Sequence, residues 1–333
     1  MPGLRVERSQ NSSGEILNLK KIPLLREKDY YIKDIGLEGD APKQFIKAYF
    51  YEPDGTVRKR RPKTWIPYIA KSAEKWYPHE SVIEYMINRI GIELGLNMNE
   101  VRLVMANDRV RFLSRYFLGK NEVLVHGAEI CGEYLDDYDF AHEIANNLKT
   151  SRQLFTLEFM CRAIDNVFPR NSDELIRDLI QMITFDAIVG NNDRHFYNWG
   201  VILTIKRRKK LPKFAPIYDS ARALLWIESE QNIVKHYNGN RENGKKIVNY
   251  VGGAKPRISI EGDADVNHFE LVTFIGGMKP EYRSIVANLV SESNERRILK
   301  MLNLESFRHF SFERRELICY ILKERFRMLR KCL

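Results

Sequence analysis

Three polar side chains in the second half of the chain have the types and spacing that phosphoryl transfer needs. Asp193 and Asn198 form a D-x-x-x-x-N arrangement after an apolar helical run that ends at Gly190, and Asp219 follows a predicted hairpin. Transfer from ATP needs a carboxylate that orients the attacking hydroxyl and accepts its proton, and an Asn and an Asp that hold Mg²⁺ on the phosphates. The sequence therefore predicts a phosphotransferase that uses ATP and Mg²⁺, with Asn198 and Asp219 as metal ligands.

The D-x-x-x-x-N spacing alone is weak evidence, because a Gly-Asn-Asn-Asp run after a helix is also ordinary helix-cap and turn chemistry. Two residues in the first third of the chain strengthen the interpretation. Lys71 ends the third of three predicted strands, and Glu84 lies on the predicted helix that follows. In protein kinases, a strand lysine and a helix glutamate in this order form the ion pair that positions the ATP phosphates. A solvated strand end and an exposed helix face are the alternatives for these two residues.

The elements that would position these residues begin with a β-rich region. Residues 29–71 contain three runs typical of strands, separated by turn signals. Residues 80–94 repeat apolar side chains at helical spacing, and Gly95 is placed to end that helix. Residues 101–105 and 110–117 predict a further hairpin. The first third of the chain therefore predicts a small antiparallel sheet with a single helix.

The rest of the sequence is mainly helical in pattern, apart from a hairpin predicted from residues 201–205 and 214–218. We therefore predict an α+β, bilobal, protein-kinase-like fold. Its small β-rich N-lobe would comprise residues 1–118 and its larger helical C-lobe residues 119–333. Such a plan places a cleft at the junction of the lobes, where ligand sites tend to lie.

The positive net charge does not by itself indicate a nucleic-acid partner. The chain has 54 Lys+Arg against 44 Asp+Glu, a formal net charge of +10. Ten of the basic residues lie in two short runs, 58–63 and 206–210, which are predicted to be exposed turns. Neither run has the interleaved aromatic residues that stack nucleic-acid bases. We expect ATP to be the main anionic ligand, an acidic partner to be an option at these turns, and nucleic acid not to be the primary ligand.

The sequence also bears on location. No apolar run approaches the roughly 18 residues that a membrane span needs, so we expect no stable membrane insertion. The first ten residues include three charged side chains and lack the apolar stretch of a secretory signal. A cytoplasmic location is therefore expected, and export by a specialised secretion system is the alternative.

The sequence resembles the HipA-like serine/threonine kinases of bacteria, whose kinase fold carries the motifs G-N-x-D-R-H-x-x-N and A-P-x-x-D. Here these motifs stand at residues 190–198 and 215–219. The order Asp-Arg-His, inverted relative to the His-Arg-Asp of eukaryotic protein kinases, distinguishes this group. The resemblance extends to two further family features. Residues 39–43 are similar to the family's phosphate loop, and residues 125–130 are similar to its motif after the hinge.

The resemblance implies a role for each candidate site residue. Asp193 would be the catalytic base, and His195 would brace the catalytic loop. Lys71 would contact the ATP phosphates with Glu84 as its partner. Backbone amides and a lysine of the phosphate loop would form an anion cradle over the nucleotide, and the hinge would pack against adenine. The residues implied for these last contacts are Gly39, Asp40 and Lys43 of the phosphate loop, and Arg115 and Tyr116 of the hinge.

The activity implied by the resemblance is ATP-dependent transfer of the γ-phosphoryl group to a Ser or Thr hydroxyl of a protein substrate. A small-molecule or lipid kinase is an alternative, because phosphoinositide kinases also use Asp-Arg-His-x-x-Asn loops. A nucleotide-binding pseudokinase adaptor is a second alternative, against which the complete residue set argues. Residues 249–259 follow the predicted metal-binding Asp219, where kinases keep activation or substrate-binding segments. A substrate contact that involves Lys255 and Arg257 is a hypothesis for this segment, and a plain loop is the alternative.

Two departures from the family pattern matter. Family members that inactivate themselves carry a serine just before the phosphate-loop glycine, whereas residues 36–38 here are Gly-Leu-Glu and offer no hydroxyl. The chain is also shorter than full-length HipA toxins and looks closer to smaller stand-alone relatives, which include secreted pro-inflammatory kinases. The resemblance therefore does not decide whether an antitoxin binds this protein.

Overall fold

The computed structural model of this chain describes residues 15–34, 43–73, 79–205, 210–243 and 245–333. Gly39 and Asp40 of the predicted phosphate loop lie outside these ranges, as do residues 36–38 and 206–209. The expectations for these residues stay predictions.

Five strands near the start of the described chain form one antiparallel sheet. They are β1 (Tyr30–Lys33), β2 (Lys43–Ala48), β3 (Ile66–Ser72), β4 (Val101–Ala106) and β5 (Arg109–Arg115), in the spatial order β1-β2-β3-β5-β4. Successive side chains of a strand point to opposite faces. In β3, Tyr68 and Ala70 are therefore buried in the core on one face, while Lys71 lies on the other face with its ammonium 5.7 Å from the centroid of the Phe112 ring.

The first α-helix of the described chain, α1 (Glu80–Glu93), packs against β4 and β5. Its apolar side chains recur every three or four residues, so they share one face, and Ile83, Met86 and Ile90 are fully buried. Gly95 follows in the left-handed conformation, with φ of +77°, which ends the helix. The predicted helix over residues 80–94 is confirmed, and it places Glu84 opposite the sheet.

A smaller three-stranded sheet and a set of helices form the rest of the described structure. The strands are β6 (Glu122–His126), β7 (Gly200–Thr204) and β8 (Lys213–Phe214). The helices are α2 (Gly127–Leu135), α3 (Tyr138–Asn146), α4 (Leu148–Leu154), α5 (Leu157–Val167), α6 (Ser172–Val189), α7 (Glu230–Asn243), α8 (Lys245–Gly253), α9 (His268–Met278), α10 (Pro280–Leu289), α11 (Glu292–Leu304) and α12 (Phe312–Lys331). Within the described residues, every helix is either too short or too polar to cross a membrane. The predicted α+β fold, a small antiparallel sheet region with a mostly helical remainder, is confirmed.

The second strand of the hairpin predicted from residues 201–205 and 214–218 is shorter than expected. Lys213 and Phe214 pair with β7 in the strand register, and the Ala215 N–H adds one hydrogen bond to the Gly200 carbonyl at 2.9 Å. Pro216 has no N–H to donate to a sheet, and the chain crosses from there to the loop before β4. There the Ile217 N–H donates to the Asn97 carbonyl at 2.8 Å, and the Ile217 carbonyl accepts from the Asn99 N–H at 3.0 Å. This crossing brings the next residues, including Asp219, to the face of the five-stranded sheet that carries Lys71.

Helix α6 runs through the core of the helical part and delivers the loop at residues 190–198. Its side chains are buried around most of the helix surface, which is typical of a central helix. Gly190 ends α6 with φ of +77°. A Cβ at that position would lie 3.1 Å from the buried guanidinium of Arg325, whose Nε donates to the Ala187 carbonyl at 2.6 Å. Both the backbone conformation and the close packing therefore require glycine at the end of this helix.

The first basic run, residues 58–63, is exposed along its whole length, as predicted. It follows β2 and leads into β3. Lys59 forms an ion pair with Asp29 at 3.3 Å. Of the second run, Lys210 is described, and its ammonium lies 3.4 Å from a carboxylate oxygen of Glu122. The described residues Lys59 and Lys210 are therefore exposed and each has an acidic partner.

A buried histidine at the start of α1 predicts that the fold loses stability in mild acid. His79 is fully buried, with Glu230 3.5 Å from Nε2 and Glu15 3.8 Å from Nδ1. Burial, and then the Arg314 cation, lower the pKa of His79 from 6.5 to about 4. The unfolded state therefore binds the proton first, and the free energy of unfolding falls as the pH drops from 6.5 toward 4.

We expect this one group to remove about 2 kcal/mol of stability between pH 7.5 and pH 5.0, given about 1.4 kcal/mol per pKa unit. Urea unfolding at the two pH values would measure the loss in the wild type and in His79→Phe. The variant should lose less stability on acidification, whereas His142→Phe, at an exposed position, should behave as the wild type. Equal losses in wild type and His79→Phe would contradict the prediction.

Candidate active site

The candidate site centres on one ion-paired lysine between the two parts of the structure. Lys71 Nζ donates to Glu84 Oε1 at 2.9 Å and to Asp219 Oδ1 at 2.8 Å. The three residues come from β3, from α1 and from the segment after β8. The Glu84 side chain is only 5% exposed, whereas that of Asp219 is 39% exposed. The lysine therefore joins a buried carboxylate to one that still faces the cleft.

The charges of this triad depend on one another. Burial would lower the pKa of Lys71, but the carboxylates of Asp219 and Glu84 raise it above the usual value. Burial raises the pKa of Glu84, and Lys71 opposes that shift. Enclosure would also raise the pKa of Asp219, but Lys71, with a smaller contribution from Lys43, lowers it to about 2. At neutral pH Asp219 is therefore an anion beside the Lys71 ammonium, and its carboxylate can bind a positively charged ligand.

The loop after α6 is held by a buried arginine–aspartate pair. Arg194 Nε donates to Asp186 Oδ2 at 2.8 Å, and its Nη2 donates to Asp186 Oδ1 at 2.9 Å. Arg194 and Asp186 are 1% and 3% exposed. Asp186 Oδ1 also accepts from the Asn191 amide at 2.9 Å. This bidentate geometry attaches the start of the loop to the last turn of α6.

The same guanidinium links this loop to the segment that carries Asp219. Arg194 Nη1 donates to the Asn198 carbonyl at 2.9 Å and to the Tyr218 carbonyl at 2.5 Å, and Nη2 donates to Ser220 Oγ at 2.6 Å. The residues on both sides of Asp219 are therefore fixed to the loop. Asp219 itself has φ of +54°, a left-handed conformation that Asp tolerates better than most residues. Arg194 thus connects the backbone of Asn198 to the neighbours of Asp219 on both sides.

The donor set around Asn198 and Asp219 fits a divalent cation. The Asn198 amide nitrogen donates to the Asp193 carbonyl at 3.0 Å. That bond uses an N–H group of the amide, and the acceptor of the side chain is Oδ1. Asp219 uses Oδ1 for Lys71 and keeps its second carboxylate oxygen. Hard oxygen atoms of this kind are the ligands that Mg²⁺ prefers, so these two residues could hold it.

Asp193 lies in the same cleft with both carboxylate oxygens ion-paired. Its Oδ1 lies 2.7 Å from Arg257 Nη2, and its Oδ2 lies 3.1 Å from Arg222 Nε. The Asp193 side chain is 15% exposed. Lys255, in contrast, pairs with Asp265 at an exposed position, with 2.6 Å between its ammonium and the carboxylate. Of the two basic residues predicted to contact substrate, Arg257 therefore lies at Asp193, and Lys255 pairs elsewhere.

His195 lies inside the loop, where it contacts the backbone. Its N–H donates to the Asp193 carbonyl at 2.8 Å, and its Nδ1 accepts from the Tyr197 N–H at 3.2 Å. Burial lowers the pKa of His195, and Asp193 and Asp219 oppose that shift. These contacts suit a residue that shapes the loop.

The residues predicted to contact nucleotide lie on the sheet side of the cleft. Lys43 begins β2 directly opposite Lys71 in the strand register. Tyr116 follows β5, and its ring packs edge-on against Phe45 at 5.5 Å between centroids. The Arg115 guanidinium pairs with Glu100. Gly39 and Asp40 lie outside the described residues.

The sequence signals for the remaining contacts were incomplete. Arg194 stands inside the D-R-H motif, but that motif does not reveal that its guanidinium reaches Tyr218 and Ser220 on another segment. Asp186 occupies a position in an apolar helical run, where a carboxylate is unusual and could have indicated a buried partner. Arg222 lies three residues after Asp219, and no sequence motif indicates that it belongs to the site.

Comparison with known proteins relates this site to one family. The model of the family described as the HipA-like C-terminal domain matches residues 35–250. That range includes Lys71, Glu84, Asp193, Asn198 and Asp219. No curated protein matches the chain.

Two solved structures share the fold. The chain is similar to the crystal structure of a Helicobacter pylori proinflammatory kinase, CtkA, with a TM-score of 0.69 and 17% sequence identity over 93% of this chain and 98% of that one. It is also similar to HipA of Shewanella oneidensis MR-1, solved in complex with HipB and its operator DNA. For that structure the TM-score is 0.50 and the identity 14%, over 79% of this chain and 58% of that one. At these identities the likeness concerns the fold.

Proposed function

Because the chain belongs to the HipA-like C-terminal domain family, we propose that it is an ATP-dependent protein kinase that phosphorylates Ser or Thr in a protein substrate. The observation that carries the proposal is the Lys71 ammonium, which lies 2.9 Å from Glu84 and 2.8 Å from Asp219. Those two contacts join the phosphate-positioning pair of a kinase to its metal-binding aspartate. The fold shared with a proinflammatory kinase of Helicobacter pylori supports the same reaction class.

Each residue has a part in the proposed reaction. Lys71 binds the ATP phosphates, and Glu84 holds its ammonium in place. Asp193 orients the acceptor hydroxyl and takes its proton. Asn198 and Asp219 would hold Mg²⁺, which when bound would supply the positive charge that neutralises the phosphates. His195 keeps the loop in shape through the contacts of its ring and backbone.

A pseudokinase adaptor is the less favoured alternative. Loss of one of these five polar residues would be the usual sign of a pseudokinase, and all of them are present: Lys71, Glu84, Asp193, Asn198 and Asp219. A small-molecule or lipid kinase of the same fold would keep the set as well, and screening acceptors with radiolabelled ATP would separate it from a protein kinase. Cytoplasmic location stays a prediction and an acidic partner at the basic turns stays an option, while the binding of an antitoxin stays undecided.

Asp219→Asn is expected to weaken the binding of nucleotide in the presence of Mg²⁺ by at least about tenfold. The amide keeps the size of the carboxylate and tolerates φ of +54°, but it removes the negative charge that faces Lys71 and the metal. Calorimetric titration with a non-hydrolysable ATP analogue, with and without Mg²⁺, measures the effect. Asp108→Asn is the matched control, because Asp108 is exposed and has the same φ of +54°. Unchanged Mg²⁺-dependent binding in Asp219→Asn would contradict the assigned role.

A further inference from the structure

Two arginines lie against the proposed catalytic base, and the proposed function does not yet use them. Arg257 Nη2 lies 2.7 Å from Asp193 Oδ1, and Arg222 Nε lies 3.1 Å from Asp193 Oδ2. The Arg257 and Arg222 side chains are 23% and 41% exposed. Among the described residues, neither guanidinium has a further hydrogen-bond acceptor, so each keeps N–H groups for a ligand. The Arg222 guanidinium also lies 5.6 Å from the centroid of the Trp226 ring. Two cations around one carboxylate leave a local surplus of one positive charge.

The segment that carries Arg257 is held by a buried scaffold. Arg152 is 8% exposed, and its guanidinium donates to three carbonyl groups of that segment. Nε donates to Ala264 at 2.7 Å, Nη2 donates to Val266 at 2.8 Å, and Nη1 donates to Pro256. Ser259 Oγ donates back to the Arg152 carbonyl. A buried arginine that donates hydrogen bonds to several backbone carbonyls holds a loop in one conformation. Arg257 therefore contacts Asp193 from a rigid loop.

The position of the two guanidiniums indicates which anion they would meet. The acceptor hydroxyl must hydrogen-bond to Asp193, and the transferred phosphorus bonds to that same hydroxyl oxygen. A guanidinium in contact with Asp193 is therefore one contact away from the oxygens of the transferred group. Arginine presents planar donors that match phosphate oxygens. An acidic side chain of the substrate could offer the same oxyanion chemistry, so the experiment must separate these two sources.

We propose that Arg222 and Arg257 form an oxyanion subsite that binds the phosphoryl group during its transfer. The proposal rests on the proposed kinase function. In the step, the acceptor oxygen forms a bond to the γ-phosphorus while the bond from that phosphorus to the β–γ bridging oxygen breaks. The hydroxyl proton goes to Asp193, and the electron pair of the broken bond stays on ADP. The subsite stabilises the negative charge of the equatorial oxygens in the transition state.

The test compares Arg257→Ala, Arg222→Ala and Arg257→Lys with the wild type. We expect kcat to fall roughly 10²-fold in each alanine variant, the size of effect seen when one oxyanion donor is removed, with KM for ATP and for the protein substrate within about threefold. Arg257→Lys should recover part of kcat, because it keeps the charge and loses the planar donors. Arg162→Ala is the matched control, since Arg162 pairs with Glu261 at an exposed position.

A second readout does not depend on turnover. Binding of ADP with Mg²⁺ and aluminium fluoride, which imitates the transferring phosphoryl group, should weaken at least tenfold in Arg257→Ala, while binding of ADP with Mg²⁺ stays unchanged. If the alanine variants instead raise KM for the protein substrate alone, the arginines bind an acidic side chain, and the phosphoryl proposal is wrong. The proposal would also be wrong if kcat and the binding of ADP with aluminium fluoride in these variants equalled the values of the wild type. Absence of any transfer by the wild type would count against the kinase function instead.

Discussion

Replacing Asp193 with Asn is expected to lower phosphoryl transfer about 10³-fold or more, while the protein stays folded and binds nucleotide. A positioned carboxylate that takes the acceptor proton contributes roughly 10²- to 10⁴-fold to such reactions, and an amide cannot accept that proton. The amide also cannot neutralise Arg222 and Arg257 as a carboxylate does. The site of Lys71, Glu84 and Asp219 is untouched, because those residues pair with one another rather than with Asp193.

Transfer of ³²P from labelled ATP measures this effect, and unfolding temperature and binding of a non-hydrolysable ATP analogue report on the fold. Asn192→Ala is the matched control, because Asn192 is the exposed neighbour of Asp193 in the same loop. It should transfer as the wild type does. Full transfer by Asp193→Asn together with full transfer by Asp219→Asn would remove the proposed reaction. If Asp193→Asn is inactive as expected, comparison of the phosphorylated proteins in cells that carry the wild type or this variant would identify substrates.

Arg194→Met is expected to destabilise the protein by about 3–5 kcal/mol. Removal of one partner of a buried ion pair leaves the other charge without compensation, and that cost is of this size. Here the abandoned charge is Asp186, and four further acceptors lose their donor at the same time. Those acceptors are on Asn198, Tyr218 and Ser220, in addition to the second oxygen of Asp186. Met is close to Arg in length and apolar, so the loss of polar contacts rather than of volume dominates.

Urea unfolding of the wild type and of Arg194→Met measures the change. Arg177→Met is the matched control: Arg177 is on the same helix as Asp186, and its ion pair with Glu281, at 2.8 Å, is about half exposed on both sides. An exposed pair contributes only about 0–1 kcal/mol, so this control should unfold close to the wild type. If Arg194→Met does not fold, Arg194→Lys keeps the charge without the planar donors and should show an intermediate loss. Equal stability of the Arg194 and Arg177 variants would refute the role assigned to Arg194.

Much of the fold could be predicted because the patterns that carry it are local. The apolar spacing of residues 80–94 predicted α1, and the alternation in residues 29–71 predicted the strands around Lys71. The extent of the second hairpin could not be predicted in the same way. Its second strand ends at Phe214 because Ile217 finds backbone partners at Asn97 and Asn99, more than a hundred residues earlier in the chain.

In the candidate site, too, the features set by local sequence could be predicted and those set by long-range contacts could not. Residue types and the D-x-x-x-x-N spacing placed Asp193 and Asn198 together, since five residues of one loop cannot be far apart. The order of elements predicted the partners Lys71 and Glu84, which the structure joins at 2.9 Å. Arg194 stood in the motif without an assigned contact, because its acceptors on Tyr218 and Ser220 belong to a segment that only the fold brings to the loop.

The sequence by itself determined the chemistry that this chain can attempt, since the types of the polar residues and their local spacing are properties of the chain. The tertiary structure decided which charges meet. Lys71 reaches Asp219 across 148 residues, and Asp193 reaches Arg257 across 64. Contacts at such separations follow from the packing of α6 and from the crossing at Pro216. They depend on burial and backbone pairing along the whole chain, which no local pattern records.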